Sequence, residues 1–252
     1  MLPRWARGDK DDHLQCSGMD GSVPPSDAPD DPEALKAIYA TRFGHRTDDR
    51  LVLWETLVAT HFQRFVKPTD VVLDLAAGYC EFINTIRCGT KIAVDLNPTI
   101  TEMAGPDVRV CHSRSTALPE DLTDAVDVAW VSNFFEHLQD SGELLATLRE
   151  LHRVLRPGGR LLVLQPNIRL LGSAYWDFVD HSLPITDKSL REALTLTGFS
   201  VETMKVRFLP YTTESRLPIS APLIRFYLRF PPAQWLFGKQ TFVVARANPA
   251  HP

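Results

Sequence analysis

Past residue 70 the chain repeats one arrangement: a short, nearly unbroken apolar run, a polar turn, then an amphipathic stretch. The runs are VVLDL (71–75), KIAVDL (91–96), VRVCH (108–112), AVDVAWVS (125–132) and RLLVLQP (160–166). Runs without strict alternation suit strands buried on both faces. EFINTIR (81–87) and GELLATLRELHRVL (142–155) predict helices, the second stopped by Arg156-Pro157-Gly158-Gly159. SLREALTLTGF (189–199) predicts another helix with Gly198 at its end. VETMKVRFL (201–209) and QTFVVARA (240–247) predict two final strands. Strands alternating with helices imply an α/β fold: a doubly wound, mostly parallel seven-stranded sheet with helices on both faces.

The region before this pattern divides in two. Residues 1–32 are rich in Asp, Pro, Gly and Ser, and such a segment buries too little apolar surface to offset its ordering entropy. It reads as a disordered tail. Asp31-Pro32-Glu33 then has the chemistry of a helix start, with a cap, a proline in the first turn and an early acid. One helix is expected through EALKAIYATRF (33–43). A second starts near Thr47, with Leu51, Trp54, Val58, Phe62 and Phe65 at helical spacing, and ends at Pro68. Residues 33–67 therefore read as a helical lid on a single domain spanning 33–252. Residues 210–239, between the last two strands, form an insert rich in aromatics, Arg and Pro. Connections of that length in a compact domain are usually functional.

Composition narrows the class. The net charge is −4, and residues 1–32, with three cations against seven aspartates, account for all of it. The remainder is near neutral, so no global basic field argues for nucleic acid. Cys16, Cys80, Cys88 and Cys111 form no C-x-x-C pair, which argues against a zinc ribbon or a thioredoxin motif and fits a reduced, cytoplasmic setting. No apolar run approaches the roughly 20 residues that cross a bilayer, and the first residues turn charged at once, unlike a signal peptide.

In a doubly wound sheet, ligands sit beyond the carboxyl ends of the strands. Three polar features fall there. Asp74-Leu-Ala-Ala-Gly78-Tyr-Cys80 follows the first strand, and small residues let the backbone approach a ligand. Asp95 ends the second strand, where an acid can bind both hydroxyls of a ribose. Ser132-Asn133 ends the fourth.

Taken together, VLDLAAGYCEF, AVDLNP, DVAWVSNFFEHL and LHRVLRPGGRLLVLQPN resemble, in order and spacing, the motifs of the class I S-adenosylmethionine-dependent methyltransferases. The resemblance covers roughly residues 50 to 247. It implies a Rossmann-like fold with the last strand antiparallel. It implies S-adenosylmethionine as cofactor and S-adenosylhomocysteine as product. By the same resemblance, Gly78 with Ala76 and Tyr79 passes under the methionine part of the cofactor. Asp74 orients the turn, Asp95 holds the ribose hydroxyls with Leu96 against the adenine, and Asn133 lines the methionine side. The chain departs from the pattern twice. Ala76 and Cys80 stand at usual glycine positions, where small side chains imply tolerated crowding. CHSRSTALP (111–119) replaces the usual acid near the adenine amine, leaving Ser113 or backbone groups, since Arg114 cannot accept a hydrogen bond.

Transfer to oxygen needs a base, naturally His or a carboxylate. Glu136-His137 and Asp180-His181 are the candidate pairs. His181 is preferred because DHSLPIT reads as a loop over the pocket, while His137 is equally suited to pinning its own loop. The same four side chains are also feasible ligands for a divalent ion, although no spacing signature marks a metal site. Trp176, Arg207, Tyr211 and Arg216 are plausible pocket residues for sugars, aromatic rings or phosphates. Residues 221–239 interleave Arg225, Arg229 and Lys239 with Phe226, Tyr227, Phe230, Trp235 and Phe237. A lid packed over the sheet is the favoured reading of that stretch, and peripheral contact with an anionic membrane is the other. The expected activity is methyl transfer to a small-molecule or glycan acceptor, to oxygen. The competing readings are a C-methyltransferase on a quinone-like or lipid-linked acceptor and a non-catalytic cofactor-binding protein. Oligomeric state is not encoded in any feature of the sequence.

Overall fold

A computed structural model describes residues 47–211 and 220–249. The expected tail (1–32), the expected helix (33–43), the first part of the lid and Arg216 lie outside the described residues. One seven-stranded sheet runs in the order β3-β2-β1-β4-β5-β7-β6. Its strands are β1 (Val71–Leu75), β2 (Thr90–Val94), β3 (Val108–Cys111), β4 (Val126–Ser132), β5 (Leu155–Pro166), β6 (Phe199–Leu209) and β7 (Gln240–Ala247). Strands β1 to β5 are parallel, and β7 lies antiparallel between β5 and β6.

The helices are α1 (Thr47–Leu57), α2 (Glu81–Thr85), α3 (Ile100–Met103), α4 (Ser141–Val154), α5 (Ile168–Leu171), α6 (Asp187–Leu196), α7 (Ala221–Arg229) and α8 (Pro231–Phe237). The apolar runs of the strands divide between two cores. Leu161 and Val163 of β5 join α4 and α6 on one face, while Leu162 and Leu164 join α1 and α2 on the other. This two-sided burial is why the strands read as unbroken apolar runs. The second core is aromatic. Trp130 stacks on Phe82 with ring centroids 4.4 Å apart, and Phe62, Phe208 and Phe242 close around it. His61 is packed among these rings, and burial, then Arg64 and Lys205, push its pKa down to about 3. It is therefore a neutral core residue at physiological pH.

Several boundaries differ from expectation. Strand β2 ends at Val94, so Asp95 lies just past the ladder. Helix α6 spans Asp187–Leu196 rather than 189–199; Thr186 and Ser189 cap its start reciprocally, and Gly198 at φ +89° turns the chain into β6. Arg156-Pro157-Gly158-Gly159 does end α4, but it forms a bulge within β5. Val126 pairs with Leu155 and Val128 with Arg160, leaving those four residues outside the register. The later part of the insert, residues 220–239, carries α7 and α8, which pack on α1 and β6 respectively. Register then levels the rim that matters: Leu75 lies beside both Val94 and Val131, so the turns after β1, β2 and β4 emerge side by side.

Gly198 yields a stability test. A Cβ there would lie 2.9 Å from the His152 ring, on a backbone that L side chains rarely adopt. Gly198→Ala is expected to cost roughly 1–3 kcal/mol in urea unfolding. Wild-type stability in that variant would show that the turn is not conformationally restricted.

Candidate functional site

Asp95 is the centre of the rim. It is buried, and its two carboxylate oxygens each accept a backbone N–H, from Gly78 at 2.8 Å and from Asn97 at 2.8 Å. One side chain thus ties the turn after β1 to the turn after β2. A carboxylate offers about four lone-pair sites, so capacity remains for further donors. Burial raises the Asp95 pKa, partly offset by these N–H groups.

The turn after β1 is tightly wound. Ala76, Gly78 and Cys80 all adopt positive φ, at 55°, 53° and 60°. Only the glycine takes this conformation without strain, which costs the other two residues roughly 1–2 kcal/mol each. The expectation for Ala76 and Cys80 concerned crowding; the structure adds a backbone cost. Asp74 is buried beneath the turn. Desolvation, then the nearby Glu81 and Asp95, hold its carboxyl well above the usual range, against one backbone N–H from Ile83.

From outside, α1 braces the turn. Arg50 makes a charge-assisted bond through Nε to Glu81 at 2.7 Å, a second through its terminal nitrogen, and lies 5.4 Å from the Tyr79 ring centre. Neither Arg50 nor Glu81 was anticipated, although an acid in the first turn of α2 is a legible signal.

Two of the expected ligand-side groups are buried polar atoms with no hydrogen-bond partner among the described residues: Ser113 Oγ and Asn133 Oδ1. Asn133, just past β4, sits at φ +48° with its N–H donating to Leu164 O and its amide Nδ2 donating to Ser132 Oγ at 3.2 Å. Buried polar atoms are rarely left unsatisfied, and both atoms suit a ligand donor. Leu96 is part-exposed beside Asp95 and offers an apolar wall.

The second group lies on the same loop system. Glu136 and His137 occupy a tight turn at Phe135–His137, three residues beyond Asn133. Asp180-His181 comes from the segment after α5, and the structure brings both pairs together. His137 Nδ1 lies 3.2 Å from Asp180 Oδ2, and the two histidine rings are 5.1 Å apart. Burial opposes charge on His137, but Asp180 and Glu136 outweigh it and raise the pKa. Glu136 is fully buried, its carboxyl raised by desolvation and partly relieved by His137 and by Gln165, whose amide donates at 2.9 Å.

His181 is buried, with Nδ1 2.6 Å from the carbonyl of Tyr175. Only a protonated Nδ1 can donate there, so Nε2 is the basic nitrogen, and the Tyr211 hydroxyl donates to it at 3.2 Å. Phe178 stacks on the ring. Glu136, His137 and His181 also offer ligand atoms within 4.8 Å of one another, close enough for a divalent ion. Among the other pocket candidates, Tyr211 reaches His181, Trp176 is exposed, and Arg207 bonds the carbonyl of Trp235 in α8. Gln165 and Tyr175 were not anticipated; a glutamine closing the apolar run of β5 was the available signal.

The chain is similar to known methyltransferases. Residues 73–163 match the family described as a methyltransferase domain. A demethylmenaquinone methyltransferase of Mycobacterium marinum is 32% identical over 137 residues, 50% of this chain and 55% of that protein. A ubiquinone/menaquinone biosynthesis C-methyltransferase of Bdellovibrio bacteriovorus is 28% identical over 131 residues, 47% and 54%. The chain thus spans about half the length of the curated relatives it matches. In fold, it is similar to a SAM-dependent methyltransferase from Archaeoglobus fulgidus, with a TM-score of 0.58 at 21% identity over 84% of this chain and 99% of that one. One from Mesorhizobium loti gives 0.52 at 17% identity, over 71% and 91%.

The raised carboxyls predict a pH dependence. Asp74, Asp95 and Glu136 are all elevated. The native state therefore holds protons that the unfolded chain releases near pH 4, at about 1.4 kcal/mol per unit of elevation. That stability is full below the unfolded values and lost as pH rises through the folded ones. In urea unfolding from roughly pH 4 to 8, Asp74→Asn is expected to gain on wild type as pH rises. A constant difference would mean that Asp74 titrates normally.

Proposed function

With the chain a member of the class I S-adenosylmethionine-dependent methyltransferases, we propose that it transfers a methyl group to a hydroxyl oxygen of a small-molecule or glycan acceptor. The Asp95 carboxylate carries the reading, seated between two turns with acceptor capacity left, and the orphaned Ser113 and Asn133 oxygens lie on the same rim. In this reading Asp95 takes the ribose hydroxyls and Leu96 flanks the adenine. Gly78, Ala76 and Tyr79 line the methionine part, and Asn133 accepts from it. Burial and the neighbouring Glu81 and Asp95 raise the Asp74 carboxyl, and a cationic ligand group beside it would favour its charged form. When bound, the cofactor supplies a methyl group already activated on a sulfonium centre.

The chain's own part is alignment and proton removal. His181 is the base: its tautomer is fixed by Tyr175, and Nε2 takes the acceptor hydroxyl's proton once that hydroxyl replaces the Tyr211 hydroxyl as its hydrogen-bond donor. His137 is a positioning residue, held by Asp180 and packed against His181. A second reading is transfer to ring carbon of a quinone-like acceptor, favoured by the names of the relatives that match half of this chain. A non-catalytic cofactor-binding role is disfavoured by the histidine cluster beside the rim.

Titration calorimetry with S-adenosylhomocysteine is expected to show binding that Asp95→Ala weakens at least roughly tenfold, since two charge-assisted hydrogen bonds are lost. Absence of binding to folded wild type would remove the reading. His181→Gln is expected to keep that affinity and lower kcat by roughly 100-fold or more on a hydroxyl acceptor. An unchanged kcat, with methyl found on carbon, selects the second reading.

A further inference from the structure

The insert between β6 and β7 has two apolar faces, and the fold uses one. Ile224, Tyr227 and Leu228 turn α7 inward against the aromatic core, and the Tyr227 hydroxyl donates to Phe208 O. In α8, the buried Gln234 donates to the carbonyls of Tyr227 and Leu228, locking the two helices together. The outer face retains Leu223, Phe226, Phe230, Trp235, Leu236 and Phe237, each 40% to 70% exposed. Leu223 and Phe226 lie on one stripe of α7, and the Phe226 ring stacks at 5.2 Å on that of Phe230, the residue joining the two helices. Scattered exposed apolar side chains are ordinary; a run of six on two adjoining helices is not.

Charge identifies the occupant. Residues 220–239 contain Arg225, Arg229 and Lys239 and no acid, in a chain whose net charge is −4. Lys205 and Arg207 add two cations, lining with Pro231, Gln234 and Trp235 a cleft of about 360 Å³. A second copy of the same face would set these cations against their own kind. Neither helix is long enough to span a bilayer, and no described helix is long and apolar enough to do so. Short amphipathic helices with aromatic and aliphatic residues on one side and cations beside them lie in the headgroup region of anionic membranes.

We propose that α7 and α8 form an interfacial element that docks this protein on an anionic lipid bilayer. The apolar side chains enter the acyl boundary, and the cations meet the phosphates. The insert leaves β6 at Leu209 and rejoins the sheet at Gln240, opposite Pro166 at the end of β5. Docking therefore occurs at the rim that carries Asp95 and His181.

The test is flotation of the full chain with vesicles of phosphatidylcholine alone or mixed with phosphatidylglycerol. Wild type is expected to float with the mixed vesicles, less so in high salt, and poorly with phosphatidylcholine alone. Arg225→Gln with Arg229→Gln is expected to weaken this binding roughly tenfold or more. Trp235→Glu with Leu236→Glu should abolish it. S-adenosylhomocysteine affinity and circular dichroism check that each variant is folded, and the surface arginine pair keeps the test valid where the double glutamate is not. No flotation of wild type, or flotation indifferent to both variants, overturns the proposal. So does a wild-type dimer in solution that ignores vesicles and that Trp235→Glu dissociates, which would make this face a contact between copies. None of these readouts depends on turnover, so failure here leaves the methyl-transfer reading standing, and the converse holds.

Discussion

The arrangement of the rim depends on one carboxylate. Parallel strands end without a hairpin to join them, so beyond single backbone bonds such as Ala77 N–H to Val94 O the turns need another tie to each other. Asp95 supplies that tie by accepting N–H groups from both Gly78 and Asn97. Its position one residue beyond β2 leaves the side chain free to cross to the neighbouring turn. The positive φ values at Ala76 and Cys80 are tolerable because the turn is held at Gly78, between them, and braced by Arg50 and Glu81 from outside. Burial of Asp95 raises the cost of its charge, and the same burial strengthens its two bonds.

Much of the architecture was legible from the chain. Apolar runs such as VVLDL and QTFVVARA carried the strands because each buries both faces, and β1 and β7 coincide with them. The parts that were not legible are those where tertiary contacts override local signals. The Arg156–Gly159 run ends a helix in either setting, and only pairing with β4 makes it a bulge. His61 carries no sequence mark of neutrality; the ring of aromatics that imposes it comes from strands far along the chain.

The site was legible in its parts and not in its joining. Asp74, Gly78, Asp95, Ser113 and Asn133 fall where the strand ends predicted. The two acid–histidine pairs were separate candidates in the sequence, 43 residues apart, and the segment after α5 folds back to join them. Gln165 and Tyr175 act only through groups they contact, so no motif announces them.

The placement of β7 has a consequence for the order of assembly. Among the described residues, strand β6 pairs only with β7, and β7 alone joins it to β5. As the chain is made, β6 emerges first and finds no partner until β7 follows, with α7 and α8 between them. The first five strands form their ladder from earlier residues, whereas the outer edge of the sheet must await the segment that follows α7 and α8. Until then β6 is an unprotected edge strand. A stop or pause in synthesis between β6 and β7 would thus leave a sheet complete through β5, with β6 exposed.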